Sequence, residues 1–477
     1  MAAVVIGLDV GTGSTKGVAV GADGQVLVRA RAAHPTALGP AGEAEQDPRD
    51  WLAGCARVGR ELAAAGAFAP RDVAAIALSG QIRSLVLADA AGDPVGPAML
   101  WYDPRWDETA EAVRRSLPGA PAIRLGPRSV VSKLRWVRAH QPERHRAAAW
   151  VLSPKDFVKW HLCDAVVSDP SDASGSGLLD VPARRWSRPL IEALAVDPAT
   201  LPPLSEPTEQ VGTLTQAGAR ALGLLEGTPV IQGGSDNGCG ALGAGVLDGE
   251  QALVGLGTSG LVLAGLAAPR ATDPVELWCH AAPGRWYAWG ILLTGGRALD
   301  WAFGTLFSLP LSSPGGLALL REALALPARS ARPIFLPYLG DQGEGGGGFT
   351  GLRAVHSRAD VARAVLDGVA LGLRELLERL RAAGISVSRA VAVGPLVREP
   401  RWLSLLAAAL GVPVVAPLVE DTAELGAAAL AAAGCGLAAS VDDAVRAVFR
   451  VRSETAPAEA DVAIYAALAG RFALARA

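Results

Sequence analysis

The sequence predicts an α/β protein built from two domains, and three observations carry that prediction. The chain has 477 residues, about three times the usual ~150-residue domain. Half of its residues are hydrophobic and 19% are charged, enough apolar material for large cores and too much for a disordered chain. Segments with strand and helix periodicity alternate, and a strand, glycine turn, strand pattern at the start returns about halfway along. The boundary between the halves is expected near residue 246, giving domains 1–245 and 246–477.

The elements follow in order. Residues 4–9 are an apolar run, 11–14 a glycine turn and 15–20 a second strand. Ala22-Asp23-Gly24 turns again and residues 25–31 alternate, so the start reads as a β-meander. Asp47-Pro48-Arg49-Asp50 opens a helix, with Asp at the N-cap, Pro at the first helical position and an acid in the first turn. Residues 73–78 form a short buried strand ending at Ser79-Gly80-Gln81. Residues 84–89 and 95–101 flank an Ala-Gly-Asp turn and read as a hairpin. In the second half, residues 252–256, Gly257-Thr258-Ser259-Gly260 and residues 261–264 repeat the opening pattern. Ser357-Arg358-Ala359-Asp360 resembles a capping box, followed by Val361, Val365, Val369, Leu373, Leu376, Leu377 and Leu380 at helical spacing, with Gly384 closing the helix. A strand at 390–393, a helix at 401–410, a strand at 412–416 and a helix at 424–433 complete the alternation. The glycine-rich 341–348 is expected to be a loop.

Composition excludes several function classes. Lys+Arg is 44 and Asp+Glu 47, for a net charge of −3, which argues against a nucleic-acid surface or a polybasic membrane patch. Five cysteines lie scattered without CxxC spacing, so neither a disulfide frame nor a zinc site is expected and a reducing compartment fits. Residues 1–8 lack a basic leader region and Asp9 interrupts the run, so no signal peptide is expected. The uncharged stretch 425–441 is mostly Ala and Gly, too weakly apolar to span a bilayer. A soluble, cytoplasmic protein follows. Only four lysines occur (Lys16, Lys133, Lys155 and Lys159), which draws attention to any lysine near a glycine turn.

Five segments carry candidate chemistry. Asp9-Val10-Gly11-Thr12-Gly13-Ser14-Thr15-Lys16 sets a carboxylate at a strand end before a small-residue hairpin. Such a turn holds Mg²⁺ through water and meets phosphate oxygens with backbone N–H groups and hydroxyls, Lys16 being nearby; a plain tight hairpin uses the same residues. No Gly precedes Lys16, so this is not a Walker A loop. Gly257-Thr258-Ser259-Gly260 is a second such turn, placed to embrace the same phosphates from the other side. Gly233-Gly234-Ser235-Asp236-Asn237-Gly238 follows an apolar run. It places Asp236 where the chain can approach a ligand, as a base for a hydroxyl attacking a γ-phosphoryl group; an ordinary Asx turn reads the same way. Trp101-Tyr102-Asp103-Pro104-Arg105 offers an aromatic wall, an acceptor and a fork of donors, which suits a polyol and equally a solvated turn with an Asp–Arg pair. Gly80-Gln81-Ile82-Arg83, at a strand end, reads alike. The six histidines show no metal spacing, and no nucleophile elbow, HExxH or GxGxxG after a strand is present.

Taken together these segments resemble the FGGY family of carbohydrate kinases, and within it the xylulokinases most closely. The resemblance runs almost the whole chain. Its pieces include Ile6-Gly7-Leu8-Asp9-Val10-Gly11-Thr12, Glu45-Gln46-Asp47-Pro48, Ser79-Gly80-Gln81, Leu100-Trp101-Tyr102-Asp103-Pro104-Arg105, Ser153-Pro154-Lys155-Asp156, Ser168-Asp169 with Ser171-Asp172-Ala173-Ser174-Gly175, Gly233-Gly234-Ser235-Asp236-Asn237, Leu256-Gly257-Thr258-Ser259-Gly260, Phe335-Leu336-Pro337-Tyr338-Leu339 and Leu425-Gly426-Ala427-Ala428. The resemblance implies two actin-like, ribonuclease-H-like domains closing around ATP and a sugar. It implies Asp236 as catalytic base and Asp9 as the acid linked to Mg²⁺ through water, with Asp236 a second candidate metal contact. Gly11, Thr12, Gly13, Lys16, Gly257, Thr258, Gly295, Gly296 and Gly394 would line the nucleotide. Gln81, Ile82, Arg83, Trp101, Asp103 and Asn237 would contact sugar.

Three departures from the family pattern stand out. Met-His after the Gly-Gln pair is here Ile82-Arg83, a change that alters hydroxyl recognition or favours an acidic sugar. A charged loop after Pro-Tyr-Leu is replaced by the glycine-rich 340–348. The adenine-side Gly-Gly-Gly turn reads Val393-Gly394-Pro395-Leu396, where Pro395 removes a backbone donor. The function expected is ATP- and Mg²⁺-dependent phosphorylation of a ketopentose, D-xylulose first. The alternatives are a kinase of another polyol or sugar acid (ribulose, glycerol, gluconate), or a sugar- or nucleotide-binding homologue without kinase activity. The partners are a small-molecule sugar and ATP, with no nucleic acid and no membrane, and a homodimer is compatible with this reading.

Overall fold

The structure is a computed structural model that describes residues 3–117, 125–270, 273, 275–340 and 346–476. Two mixed β-sheets dominate it. The first is built from β1 (Val4–Val10), β2 (Ser14–Gly21), β3 (Val26–Ala33), β4 (Val73–Gly80), β5 (Gln210–Thr213) and β6 (Pro229–Ser235), in the spatial order β5-β6-β4-β1-β2-β3. The second uses β7 (Gln251–Leu256), β8 (Gly260–Leu266), β9 (Glu276–Cys279), β10 (Trp286–Leu292), β11 (Arg389–Val393), β12 (Val414–Pro417) and β13 (Val451–Thr455), in the order β9-β10-β8-β7-β11-β12-β13. Each sheet has the same heart. An antiparallel hairpin, β1-β2 or β7-β8, lies beside a parallel strand, β4 or β11. The repeat seen in sequence is therefore a repeat of topology, and the two halves are the actin-like, ribonuclease-H-like units expected.

Burial explains which strands are central. All seven residues of β1 are buried, as a parallel strand covered on both faces requires. β3, at the edge, alternates between exposed and half-buried positions over most of its length, so its second face is wet. Helix α1 (Pro48–Ala64) starts as read: Asp47 is the N-cap, its carboxylate accepting the N–H of Arg49, and Pro48 opens the first turn. Trp51, Cys55, Val58 and Leu62 are buried along one stripe of it, at helical spacing. Helices α2 (Pro154–Cys163), α3 (Asp236–Gly243) and α4 (Gly295–Trp301) follow. The long α5 (Arg358–Ala382) has the capping box at Ser357 and Asp360. Gly384 follows its end with φ of 73°, a left-handed value that glycine adopts without strain.

One helix breaks the simple division into halves. α6 (Ala423–Gly434) comes late in the chain yet lies on the first sheet and against α3. It sits so close over β1 that a Cβ on Gly7 would stand 1.9 Å from the Glu424 carbonyl. A Cβ on Gly426 would meet the Cys239 carbonyl at 1.9 Å, and one on Gly243 the Thr422 carbonyl at 2.0 Å. Glycine at these positions is what lets the two helices touch backbone to backbone.

The hairpin expected over 84–101 forms with irregular pairing: bridges join Leu85 to Met99 and Ala88 to Pro94, Leu85 and Met99 exchange both backbone hydrogen bonds, and the Val95 N–H donates to the Leu87 carbonyl at 2.7 Å. The paired strand Val86–Ala88 takes Trp150–Leu152 as partner, and Ala98–Met99 takes Ala44–Gln46. The Asp89 carboxylate accepts the N–H groups of Ala91 and Asp93, so the turn read from sequence is present, and each strand has a further partner outside the hairpin. Residues 341–345 of the glycine-rich loop lie outside the described residues; Gly348–Thr350 forms a short strand. Among the described residues no helix is long and apolar enough to cross a membrane.

Candidate active site

The first sheet presents three parallel strand ends side by side. Asp9 is in register with Ser79 on β4, and Ser79 with Gly234 on β6. At ~4.8 Å per strand, Asp9 and Gly234 are roughly 10 Å apart at the same edge, and Asp236 follows two residues on at the start of α3. The carboxyl ends of parallel strands are where ligands of open α/β sheets bind. Gly233, at φ 73°, turns the chain here; a Cβ would lie 1.8 Å from the Leu78 carbonyl.

Burial pushes the Asp236 carboxyl up to about 8, and the negative charge of Asp9 adds to the rise. The N–H groups of Asn237 and Ile82 hold its oxygens and oppose the shift, the Asn237 contact being 2.7 Å. A carboxylate held this way is a proton acceptor tuned near neutral pH. Asp9 is also raised, chiefly by burial, with Lys16 opposing. Its Oδ1 is buried and has no hydrogen-bond partner. Among the described residues no group of three His, Cys, Asp or Glu is placed to hold a metal ion. The bare Asp9 oxygen fits Mg²⁺ held through water, an ion that keeps most of its waters and takes one or two carboxylates together with substrate phosphates.

Around these two acids the expected residues divide. Thr12 and Trp101 come together, the indole Nε1–H donating to Thr12 Oγ1 at 3.1 Å. Gly11 closes the turn by donating to the Ser14 carbonyl at 3.2 Å. A Cβ at Gly13 or Gly257 would meet nothing within 4 Å, so both turns are open on that side. Ile82 and Asn237 reach Asp236 through their backbone N–H groups. The other expected contacts are taken up inside the protein. Gln81 is fully buried, its amide donating to Gln46 Oε1 at 3.1 Å and its Oε1 accepting from Ser84. Asp103, also fully buried, accepts from the Arg105 guanidinium and from the N–H of Ala44. Lys16 donates to Asp421 Oδ1 at 2.7 Å; burial disfavours its charge, but Asp9, Glu424 and Asp421 together outweigh that and raise its pKa.

Arg83 is the most informative departure. Its backbone has φ of 65°, a value uncommon outside glycine, and its carbonyl accepts from the buried Lys133 Nζ at 2.8 Å. The guanidinium pairs with Glu276 of β9 and stacks on Trp278, 4.5 Å from the ring centroid. Its charge is thus answered from the second sheet, by a residue 193 positions away.

The glycines expected on the nucleotide side converge on the end of β7. A Cβ on Gly296 would stand 1.8 Å from the Gly257 carbonyl, one on Gly295 2.5 Å from the Gly260 nitrogen, and one on Gly394 2.1 Å from the Leu256 carbonyl. Gly394 has φ of 117°. Pro395 opens the 3₁₀ turn Pro395–Arg398, a first-turn position where a missing N–H leaves no bond unmade. A cleft of about 1150 Å³ opens between the two halves. Arg83, Trp101 and Tyr102 line it from one side, and Thr294, Arg297 and Tyr338 from the other. Asp9 and Asp236 are not in its lining; Asp236 is tied to it through the N–H of Ile82, the neighbour of the lining residue Arg83.

The family model for the N-terminal domain of the FGGY family of carbohydrate kinases matches residues 4–243, and that for the C-terminal domain residues 252–435. The chain belongs to this family. Xylulose kinase of Bacillus subtilis (strain 168) is 30% identical over 97% of this chain and 95% of its own. Xylulose kinase of Escherichia coli (strain K12) is 33% identical over 84% of each. The crystal structure of xylulose kinase from Rhodospirillum rubrum superposes with a TM-score of 0.89, at 27% identity over 99% of this chain and 98% of that one.

Several residues of this FGGY carbohydrate kinase were missed in the sequence. Glu276 and Trp278, which hold Arg83, sit on a strand with no distinguishing pattern. Arg297 is exposed in the cleft beside the 257–260 turn, its N–H donating to the Thr258 carbonyl at 3.0 Å. Glu424 is buried beside Asp9. Its Oε1 accepts from Arg29 at 2.8 Å, its Oε2 has no partner, and burial with the Asp9 charge pushes it up to about 7. The only available signal for Glu424 was its place one residue before the Leu425-Gly426 motif.

Proposed function

We propose that this carbohydrate kinase transfers the γ-phosphoryl group of ATP to the terminal hydroxyl of a neutral ketopentose, D-xylulose first. The observation that carries the reading is Asp236 at the end of β6, raised in proton affinity, level with Asp9 and beside the interdomain cleft. Asp236 accepts the proton of the sugar hydroxyl as that oxygen attacks the γ-phosphorus. Ile82 and Asn237 hold the carboxylate in place through their N–H groups. Trp101 offers a flat face for the carbon skeleton. The turn 257–260, clamped on Gly295-Gly296, and the turn 11–14 supply N–H groups to the phosphates, so positioning and charge neutralisation carry most of the rate. Mg²⁺, held by Asp9 through water, would neutralise charge developing on the phosphates. Closure of the two halves excludes water and limits wasteful ATP hydrolysis. A cytoplasmic setting, where ATP is supplied, belongs to the same reading.

Two features select a neutral sugar and an active enzyme. Arg83, the residue that points to a sugar acid, is already neutralised by Glu276 and covered by Trp278. Asp9 and Asp236 are both retained, which a mere binding homologue would not need. The test is coupled ADP release with ATP–Mg²⁺ and a panel of D-xylulose, D-ribulose, glycerol and D-gluconate. The expected result is the highest kcat/KM with D-xylulose. A strong preference for gluconate would replace the substrate assignment, and no ADP with any sugar would end the kinase reading.

A further inference from the structure

Beneath Asp236 lies a charged cluster that the reaction as described does not use. Lys155, Lys159, Asp156, Asp169 and Asp172 are all buried. Lys155 Nζ lies 2.6 Å from Asp156 Oδ1, 2.8 Å from Asp169 Oδ2 and 3.3 Å from Asp172 Oδ2. Lys159 Nζ reaches Asp156 Oδ1 at 2.8 Å and Gln232 Oε1 of β6 at 2.6 Å. Desolvating five ionisable groups is expensive, and apolar packing of the same volume is often as stable. Their place beside the reacting carboxylate suggests a use.

The cluster is joined to α3 by a continuous chain of hydrogen bonds. Asp169 is the N-cap of the short helix Pro170–Ala173, its Oδ1 accepting the N–H of Ser171 and of Asp172. The Ser171 hydroxyl donates to the same oxygen. That hydroxyl in turn accepts the backbone N–H of Ser235 at 2.9 Å. Ser235 is the N-cap of α3, its Oγ accepting from Gly238, and Asp236 is the next residue. A Cβ on Gly234 would fall 2.9 Å from the Ser171 oxygen, so glycine there is what admits the serine.

We propose that Lys155, Asp169 and Ser171 are positioning residues for Asp236: the ammonium pins Asp169, Asp169 orients the Ser171 hydroxyl, and that hydroxyl fixes the peptide from which the base projects. The proposal rests on the kinase reading above. It is tested by measuring kcat and both KM values of the full-length enzyme with D-xylulose and ATP–Mg²⁺ for Ser171→Ala, Asp169→Asn and the double variant. Ser171→Ala is expected to lower kcat roughly 10- to 100-fold, the cost of a displaced catalytic group, with both KM values within about twofold of wild type. The double variant should be no worse than the poorer single one, as for residues acting as one unit. Should Ser171→Ala fail to fold, Ser171→Cys keeps the volume and weakens the hydrogen bonds, and the same kcat loss is expected of it. Unchanged kcat in the serine variants, or losses that multiply in the double variant, would overturn the proposal. A wild-type enzyme that turns over no sugar would instead overturn the kinase reading, and this inference with it.

Discussion

Asp236 has its proton affinity raised first by burial and then by Asp9, to a pKa of about 8. A base must be unprotonated to act, so about a tenth of the free enzyme is competent at pH 7. The kcat/KM for sugar should therefore climb about tenfold per pH unit below 8 and level off above it. A profile flat from pH 6 to 9 would remove Asp236 from that role. Arg83 gives a second prediction. Truncating it strands Glu276, whose side chain is only 14% exposed, and breaking such a pair costs about 3–5 kcal/mol when fully buried, so about 3 here. Arg83→Ala with Glu276→Gln should lose less than Arg83→Ala alone, because the second change removes the stranded charge. Urea unfolding of wild type and the two variants checks the ordering, and equal losses would contradict it. At this scale the sequence showed the acids and the glycines and hid their partners. Nothing local to Arg83 announces a glutamate 193 positions away. The rarity of lysine drew attention to Lys16 beside its glycine turn; the other three, Lys133, Lys155 and Lys159, are wholly buried, which composition did not show.

Helices and turns whose signals lie within a few residues were legible. The Asp47-Pro48 start, the Ser357–Asp360 capping box and the stop at Gly384 each stand where the sequence placed them. The hairpin read between 84 and 101 shows where that legibility ends. Its turn and its irregular pairing are local, but the outer pairing of its strands with Trp150–Leu152 and Ala44–Gln46 leaves no mark in the sequence at that separation. The α3–α6 contact is a further such case: a motif around Gly426 was visible, its partner was not. Gly426→Ala would drive a methyl to 1.9 Å of the Cys239 carbonyl. Such overpacking costs about 1–3 kcal/mol, and each kcal/mol lowers the melting temperature of a domain of this size by roughly 2–4 °C. A thermal scan that matched wild type would contradict the backbone-to-backbone packing of these helices.

The whole molecule is one topology used twice, with a cleft between the copies. The short Gly-Thr similarity in sequence understated this, because what repeats is the hairpin-plus-parallel-strand arrangement. The sequence also suggested two consecutive halves, whereas α6 returns to the first sheet. There Asp421 and Glu424 meet Lys16 and Arg29, partners about four hundred residues apart. That return places a late segment of the chain, with the buried Glu424, beside Asp9. If Asp236 takes the proton of a sugar hydroxyl, removing its carboxylate removes turnover. The direct measurement is steady-state ADP release by Asp236→Ala at saturating D-xylulose and ATP–Mg²⁺, with folding checked by its melting curve. The account predicts turnover at least about 100-fold below wild type in a folded protein, and a variant that turns over at the wild-type rate would contradict it.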